Sequence, residues 1–369
     1  MKKIIRILSL LLIASLLFSF VSCKKDDDGD DGNSDWNPYP YEDLNAFITL
    51  ADYKSFSISQ SYLDRQVNSI LSALFEEQSL YVNVTADRGV QEWDFIKIVF
   101  SEITVGDKTV YPLPEGSSDE EKNKESSASF TVGTGATLSY IEDAVIGMKL
   151  DEEKVLNFTF PDDYTGTKDY AGKDATYKFK VTEHKEPPEL TDDLCYRYTT
   201  YITADVMRKM FEQEIIYAAL WDYMLENSTI VSRPEKEYNE YYNGFVDIFV
   251  SYAKSNNKTL EEYVVTEGEK FPSMGLYAGI TMDEFYRIAR EYADEKLKND
   301  LILYSLIRIE GLKTSGPLYT AAQKELLLSY GVGYTIDSLI EEHGKDQIVT
   351  SIMDIQVRRQ VLKYVTRTA

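Results

Sequence analysis

The stretch GMKLDEEKVLNFTFPDDY, residues 147 to 164, decides the fold. A glycine and a charged turn open it. Val155, Asn157 and Thr159 then alternate with Leu156, Phe158 and Phe160, the period of two expected of a half-buried strand, whose successive side chains leave on opposite faces. Pro161 removes a backbone donor and ends the pairing, and Asp162 and Asp163 follow before Tyr164. The flanking sequence repeats the pattern: Ile96, Ile98 and Phe100 share one strand face, and Tyr177, Phe179 and Val181 another. Residues 84 to 185 thus read as β-dominated, with one short helix starting at Ser139 and running to Ile146. The polar segment Pro112 to Ser129 reads as a long surface loop.

Upstream, "AFITLADYKSFSIS" (46–59) has strand-like alternation, and Leu63, Val67, Ile70, Leu71 and Leu74 form one stripe of a helix over Ser61 to Ser79. Downstream of "KEPPEL" (185–190) the pattern turns helical. Val206, Met210, Leu220 and Met224 mark one helix, and Tyr238, Tyr242, Phe245 and Phe249 a second. Thr281 and Glu284 form a capping pair that opens a third helix, running to Gly311. Further helices are expected from Pro317 to Tyr330, Thr335 to Glu342 and Gln347 to Val365. No fixed-period repeat is present, which argues against a solenoid.

The N-terminus carries Lys2, Lys3 and Arg6, an apolar run from Ile7 to Phe20, then Val21, Ser22 and Cys23. This is the layout of a secretory signal, too short for a permanent span. Cys23 resembles the acceptor of bacterial lipoprotein processing, although Phe20 stands where that motif usually has Leu or Val. Residues 1–22 are then a signal peptide and 23–45 a flexible acidic tether, whose Asp run resembles a surface-export address. It is no calcium loop: Asp31 stands where the glycine is needed and Asn37 where the distal Glu is needed. Removing residues 1–22 deletes three cations and no anions, taking the formal net charge from −23 to −26. Nucleic acid is disfavoured as a partner, since phosphate binding needs a cationic face.

With Cys23 lipidated, Cys195 is the one remaining thiol and reads as a small buried hydrophobe. His184 and His343 lack any zinc-ligand spacing and read as solvated. No triad, metal cluster or cofactor loop is apparent, so no cofactor and no metal are expected.

The order of "LADYKSF" (50–56), "TADRGVQEWDFIKIVF" (85–100), "IEDAVIGMKLDEEKVLNFTFPDDY" (141–164), "YAGKDATYKFKVTEHKEPPELTDDL" (170–194) and "ADEKLKNDLILYSLIRIEGLK" (293–313) resembles the bacterial trigger factors. Those chaperones have an FKBP-type peptidyl-prolyl isomerase domain and a long helical C-terminal domain. The resemblance implies an α+β fold: an FKBP-like antiparallel half-barrel with one short helix over residues 84–186, preceded by a β-α lead-in over 46–83. An all-α chaperone domain would follow over 187–369, with the lead-in packed on it.

Carried over by position, Phe100, Leu138, Ile141, Tyr164, Tyr170 and Tyr177 would line a hydrophobic prolyl pocket. Tyr238, Tyr242, Phe245 and Phe249 would offer apolar surface to clients, although such a stripe is more often interhelical core. Three departures weaken the pocket: Val110 and Tyr111 replace the family's Phe-Asp, "LSYIE" (138–142) puts Ile141 where the floor aromatic belongs, and the polar segment Pro112–Ser129 enlarges the neighbouring loop. Nothing corresponds to the ribosome-docking domain, so no ribosome contact is expected. The implied function is an exported, lipid-anchored folding factor on the periplasmic or surface side of a bacterial membrane. It would isomerise prolyl bonds weakly and bind unfolded or proline-containing polypeptides. The alternatives are an isomerase-inactive holdase and a cell-surface binding lipoprotein.

Overall fold

A computed structural model of the chain describes residues 36–112, 126–199, 201 and 203–369. Their elements run β1 (Ile48–Thr49), β2 (Ser57–Ser59), α1 (Gln60–Glu77), β3 (Val82–Asn83), β4 (Phe95–Val105), β5 (Lys108–Tyr111), β6 (Ser127–Thr131), α2 (Ser139–Val145), β7 (Glu153–Thr159) and β8 (Asp174–Glu186). There follow α3 (Asp192–Tyr198), α4 (Ala204–Asn227), β9 (Thr229–Ile230), α5 (Glu235–Ser255), α6 (Leu260–Glu267), α7 (Met282–Ile309), α8 (Pro317–Tyr330), α9 (Ile336–His343), α10 (Lys345–Val361) and β10 (Thr366–Thr368). The chain divides into two compact units: Asp64–Lys209, and the described residues up to Leu63 together with Met210–Ala369.

In the first of these, β4 and β8 form the antiparallel centre of a six-stranded sheet, with Phe100 opposite Phe179 and Ile103 opposite Tyr177. On the outer side of β4, β6 pairs with its first half and β5 with its end. On the outer side of β8, β7 pairs with its first half and β3 with its last residues. Along β7, exposed and half-buried positions alternate strictly, the pattern its sequence dictates. One sheet face and α2 enclose a core that includes Ile96, Ile98, Phe100, Ile141, Val145, Phe160, Phe179 and Val181.

Two glycines allow the segment before β4 to meet the turn before β7. Gly147 has φ +81, and a Cβ on Gly89 would lie 2.2 Å from the Gly147 carbonyl oxygen. That approach lets Val90 and Gly147 exchange backbone bonds with Met148 and Val90 at 2.8 Å each.

Four expectations need correction. Ser127, Ala128 and Ser129 belong to β6, paired with β4, because edge pairing with an existing strand satisfies their backbone groups. The lead-in is built of 3₁₀ turns and two strands of two and three residues rather than one long strand. The final helix stops at Val361, and Thr366–Thr368 pair in parallel with β2, so the helical region also carries short strands.

His184 is buried, not solvated. The register of β8 against β4 shifts between Lys97 and Ile98, which leaves Thr182 without a partner. This bulge moves the inward face from odd positions (Tyr177, Phe179, Val181) to even ones, so His184 turns inward.

In the other unit, α7 is the central helix. Thr281 caps it by accepting from the Glu284 amide at 3.3 Å, and Ala293, Leu297, Leu301 and Leu306 along it join Leu220, Met224, Met353 and Val357 in one core. Tyr39 and Leu44 from the 23–45 segment and Ile48 and Tyr53 of the lead-in pack into that same core. A second cluster gathers Phe245, Phe249, Tyr263, Ile280 and Phe285, and a third Leu326, Leu339, Ile348 and Ile352. Residues 113–125 of the polar segment and 23–35 of the tether, Cys23 included, lie outside the described residues, whereas the tether's end, expected to be flexible, is packed: Tyr39 and Leu44 are buried.

Candidate functional site

The site begins where the quoted stretch leaves the sheet. Phe160 is the last residue held in the ladder, its N–H donating to the Lys173 carbonyl at 2.9 Å, while the Gly172 N–H returns to Phe160 at 3.2 Å. Pro161 ends the pairing, and residues 161–172 make an excursion closed at its base by these two bonds. Within it, the Tyr164 ring folds over Gly166, where a Cβ would lie 2.5 Å from the Tyr164 hydroxyl. Gly172, at φ +68, returns the chain to β8.

This excursion brings Tyr164 and Tyr170 against Phe160, with ring centroids 4.7 and 5.4 Å apart. Phe160 meets Phe158 at 5.0 Å, Phe158 meets Tyr177 edge-on at 5.1 Å, and Tyr177 meets Phe100 edge-on at 5.6 Å. Edge-to-face contact suits the ring quadrupole and fixes each ring's orientation. Ile141 enters from α2, and Leu138 from the residue preceding that helix. All six residues carried over as a prolyl pocket therefore share one cluster. Phe100, Ile141 and Tyr177 are buried, and Leu138, Tyr164 and Tyr170 half-buried.

Phe158 and Phe160 complete the wall and were not singled out as site residues. Their place on the inward face was already visible in the alternation of β7. Tyr111 packs against the same cluster, and Tyr140 stacks on Phe158 at 5.1 Å. Burial, followed by the neighbouring phenols of Tyr170 and Tyr164, pushes the Tyr177 pKa up to about 12, so its hydroxyl stays protonated well above neutrality.

Elsewhere in this unit is a buried polar group. Asp94 accepts from both terminal nitrogens of Arg88 at 2.5 and 2.8 Å, from the Gln91 amide at 2.8 Å, and lies 2.7 Å from His184 Nε2. Arg88 also reaches Glu186 at 2.9 Å. Burial alone would raise the Asp94 pKa, but Arg88, His184 and the Gln91 amide outweigh it and hold the carboxyl below its ordinary range. With every partner in place the cluster reads as structural. No group of side chains suited to a metal ion occurs among the described residues.

The four residues proposed for client contact divide between two cores of the helical unit. Tyr238 joins the α7 core, while Phe245 and Phe249 are enclosed with Phe285, at 5.7 and 5.3 Å. Tyr242 is half-buried and packs against both. Apolar side chains that do face solvent occur at the end of α8, where Leu328 is 82% exposed, and in the turn after it, where Val332 is 106% exposed, close in sequence to the exposed Tyr334. Sequence reasoning passed over them because a lone valine between two glycines carries no periodicity.

No family model matches the chain. Among curated proteins it is similar to the trigger factor of Caldicellulosiruptor saccharolyticus, 26% identical over 316 residues, covering 81% of this chain and 66% of that one. The trigger factor of Desulforamulus reducens is 26% identical over 279 residues (72% and 59%), and that of Limosilactobacillus fermentum 25% identical over 336 residues (85% and 69%). The chain thus spans 59% to 66% of the length of the first two. A solved structure described as showing promiscuous substrate recognition in the folding and assembly activities of the trigger factor chaperone aligns over 86% of this chain and 72% of its own. Its identity is 15% and its TM-score 0.29, too low to bear on the fold.

Proposed function

We propose that this chain is a protein-folding factor that binds unfolded polypeptides and, through an FKBP-like half-barrel spanning 84–186, accelerates prolyl isomerisation weakly. The observation that carries the reading is the gathering of Phe100, Leu138, Ile141, Tyr164, Tyr170 and Tyr177 in one apolar cluster. The sequence likeness to trigger factors supports it.

Such chemistry needs no nucleophile, metal or titrating base. Amide resonance sets a barrier of about 18–20 kcal/mol to rotation about the X–Pro bond. An apolar, water-poor wall favours the twisted and less polarised amide over the planar one, and about 1.4 kcal/mol of that preference is worth tenfold in rate. Cys23 would carry lipid and tether the exported protein to the cell envelope through the acidic residues that follow it, away from ribosomes.

The experiment is a prolyl-peptide isomerisation assay run beside suppression of aggregation of a denatured client. Acceleration that falls in Phe100→Ala supports the full reading. Aggregation suppression without acceleration reduces it to a holdase, a reading favoured by the packing of Tyr111 and Tyr140 on the aromatic cluster and by the exposed Leu328 and Val332. Neither activity, with tight binding to one defined ligand, would point instead to a surface binding lipoprotein.

A further inference from the structure

Tyr177 presents a hydroxyl that packing does not explain. Its ring contacts to Phe100 and Phe158 would be made equally by phenylalanine. Buried tyrosine hydroxyls ordinarily find partners, as two in this chain do: Tyr39 donates to Asp300 at 3.4 Å and Tyr53 to Glu310. Tyr177 is only 9% exposed, yet among the described residues its hydroxyl has electrostatic neighbours, the phenols of Tyr170 and Tyr164, and no hydrogen-bond acceptor. Nor is that oxygen sealed in. The fully enclosed side-chain polar atoms lacking a partner among the described residues are Trp36 Nε1 and Ser305 Oγ. A donor in an apolar wall, unspent and reachable, is suited to an acceptor that arrives with a ligand.

We infer that the Tyr177 hydroxyl donates a hydrogen bond to a backbone carbonyl of the bound peptide, which makes it a substrate-anchoring group of the site. The inference rests on the prolyl-peptide reading of this cluster. A neutral acceptor is indicated because the excursion beside Tyr177 carries Asp162, Asp163 and Asp169, which repel a carboxylate or phosphate. The carbonyl is one flanking the rotating bond rather than its own. A donor on the rotating amide's oxygen would favour the charge-separated planar form and raise the barrier. Anchoring a flanking carbonyl instead holds planar and twisted states equally, so the hydroxyl governs affinity and leaves the rotation step alone.

The test uses the full chain and a fluorescent tetrapeptide containing Leu-Pro, blocked at both ends, with binding read by anisotropy and isomerisation by its rate. Tyr177→Phe keeps the ring and its packing. It is expected to weaken binding about three- to tenfold, the loss of one neutral hydrogen bond. A thioamide at the flanking carbonyl, a poorer acceptor, should weaken binding to the wild type and not to Tyr177→Phe. Equal affinity of wild type and Tyr177→Phe overturns the inference while leaving the prolyl-peptide reading standing. A wild type that does not bind the peptide overturns both.

Discussion

Replacing Asp94 by alanine should open the sheet unit far more than a typical surface change. Asp94 is 2% exposed and accepts from Arg88, His184 and the Gln91 amide. Removing it leaves a buried imidazole and a guanidinium without their shared acceptor, a change that costs about 3–5 kcal/mol when both partners are enclosed. The Arg88 side chain keeps 21% of its surface and its second partner, Glu186, which places the expectation at the lower end, about 3 kcal/mol. The assay should be local, because a chain of two units has no single unfolding transition. Hydrogen exchange of β4 and β8 peptides in the full chain should show protection reduced by roughly 150-fold.

The pH dependence follows from the depressed Asp94 pKa. A carboxyl held lower in the folded than in the unfolded state contributes stability above the ordinary carboxylate range and loses it as pH falls through the folded value. The gap between wild type and Asp94→Ala should therefore be full at pH 7 and narrow on acidification below about 4. Protection in Asp94→Ala within threefold of wild type at pH 7 would refute the buried-acceptor reasoning.

Three further outcomes are expected. Burial would raise the Glu310 pKa, but Tyr53, Tyr364, Gln360 and Lys54 pull it down to about 2; Glu310→Gln should thus destabilise the helical unit by about 2 kcal/mol. That deficit, read from hydrogen exchange of α7 and α10 peptides in the full chain, should be present at neutral pH and vanish as pH falls toward 2. Gly89→Ala drives a Cβ to 2.2 Å from the Gly147 carbonyl oxygen, and backbone on both sides leaves no side chain to yield. Hydrogen-exchange protection of β4 and β8 peptides in the full chain should fall by the equivalent of about 1–3 kcal/mol. Cys23→Ser should release the expressed protein from the membrane fraction, and a variant still pelleting with membranes would count against lipid anchoring.

The parts of the molecule that were legible early are those governed by near neighbours. The alternation of β7 and the cap of α7 at Thr281 each depend on a few adjacent residues, and both appear where the sequence puts them. The inward turn of His184 was not legible, because it depends on a one-residue shift between β8 and β4, strands about eighty positions apart. The enclosure of Phe245 and Phe249 was ambiguous for a similar reason: an aromatic stripe on α5 is the same text whether Phe285 of α7 covers it or solvent does. The chemistry of the candidate site was legible only as a set of apolar positions. Which of its tyrosines is buried was not.

Sequence by itself determined the periodicities, the caps, the acidic balance and the lack of catalytic motifs, since each is a property of residue identity at short spacing. Tertiary structure alone decided which rings meet Tyr177, which acid receives Arg88 and His184, and where the C-terminal strand ends up. Those outcomes depend on pairings between distant segments, and the free energy of such a pairing belongs to neither segment until both are in place.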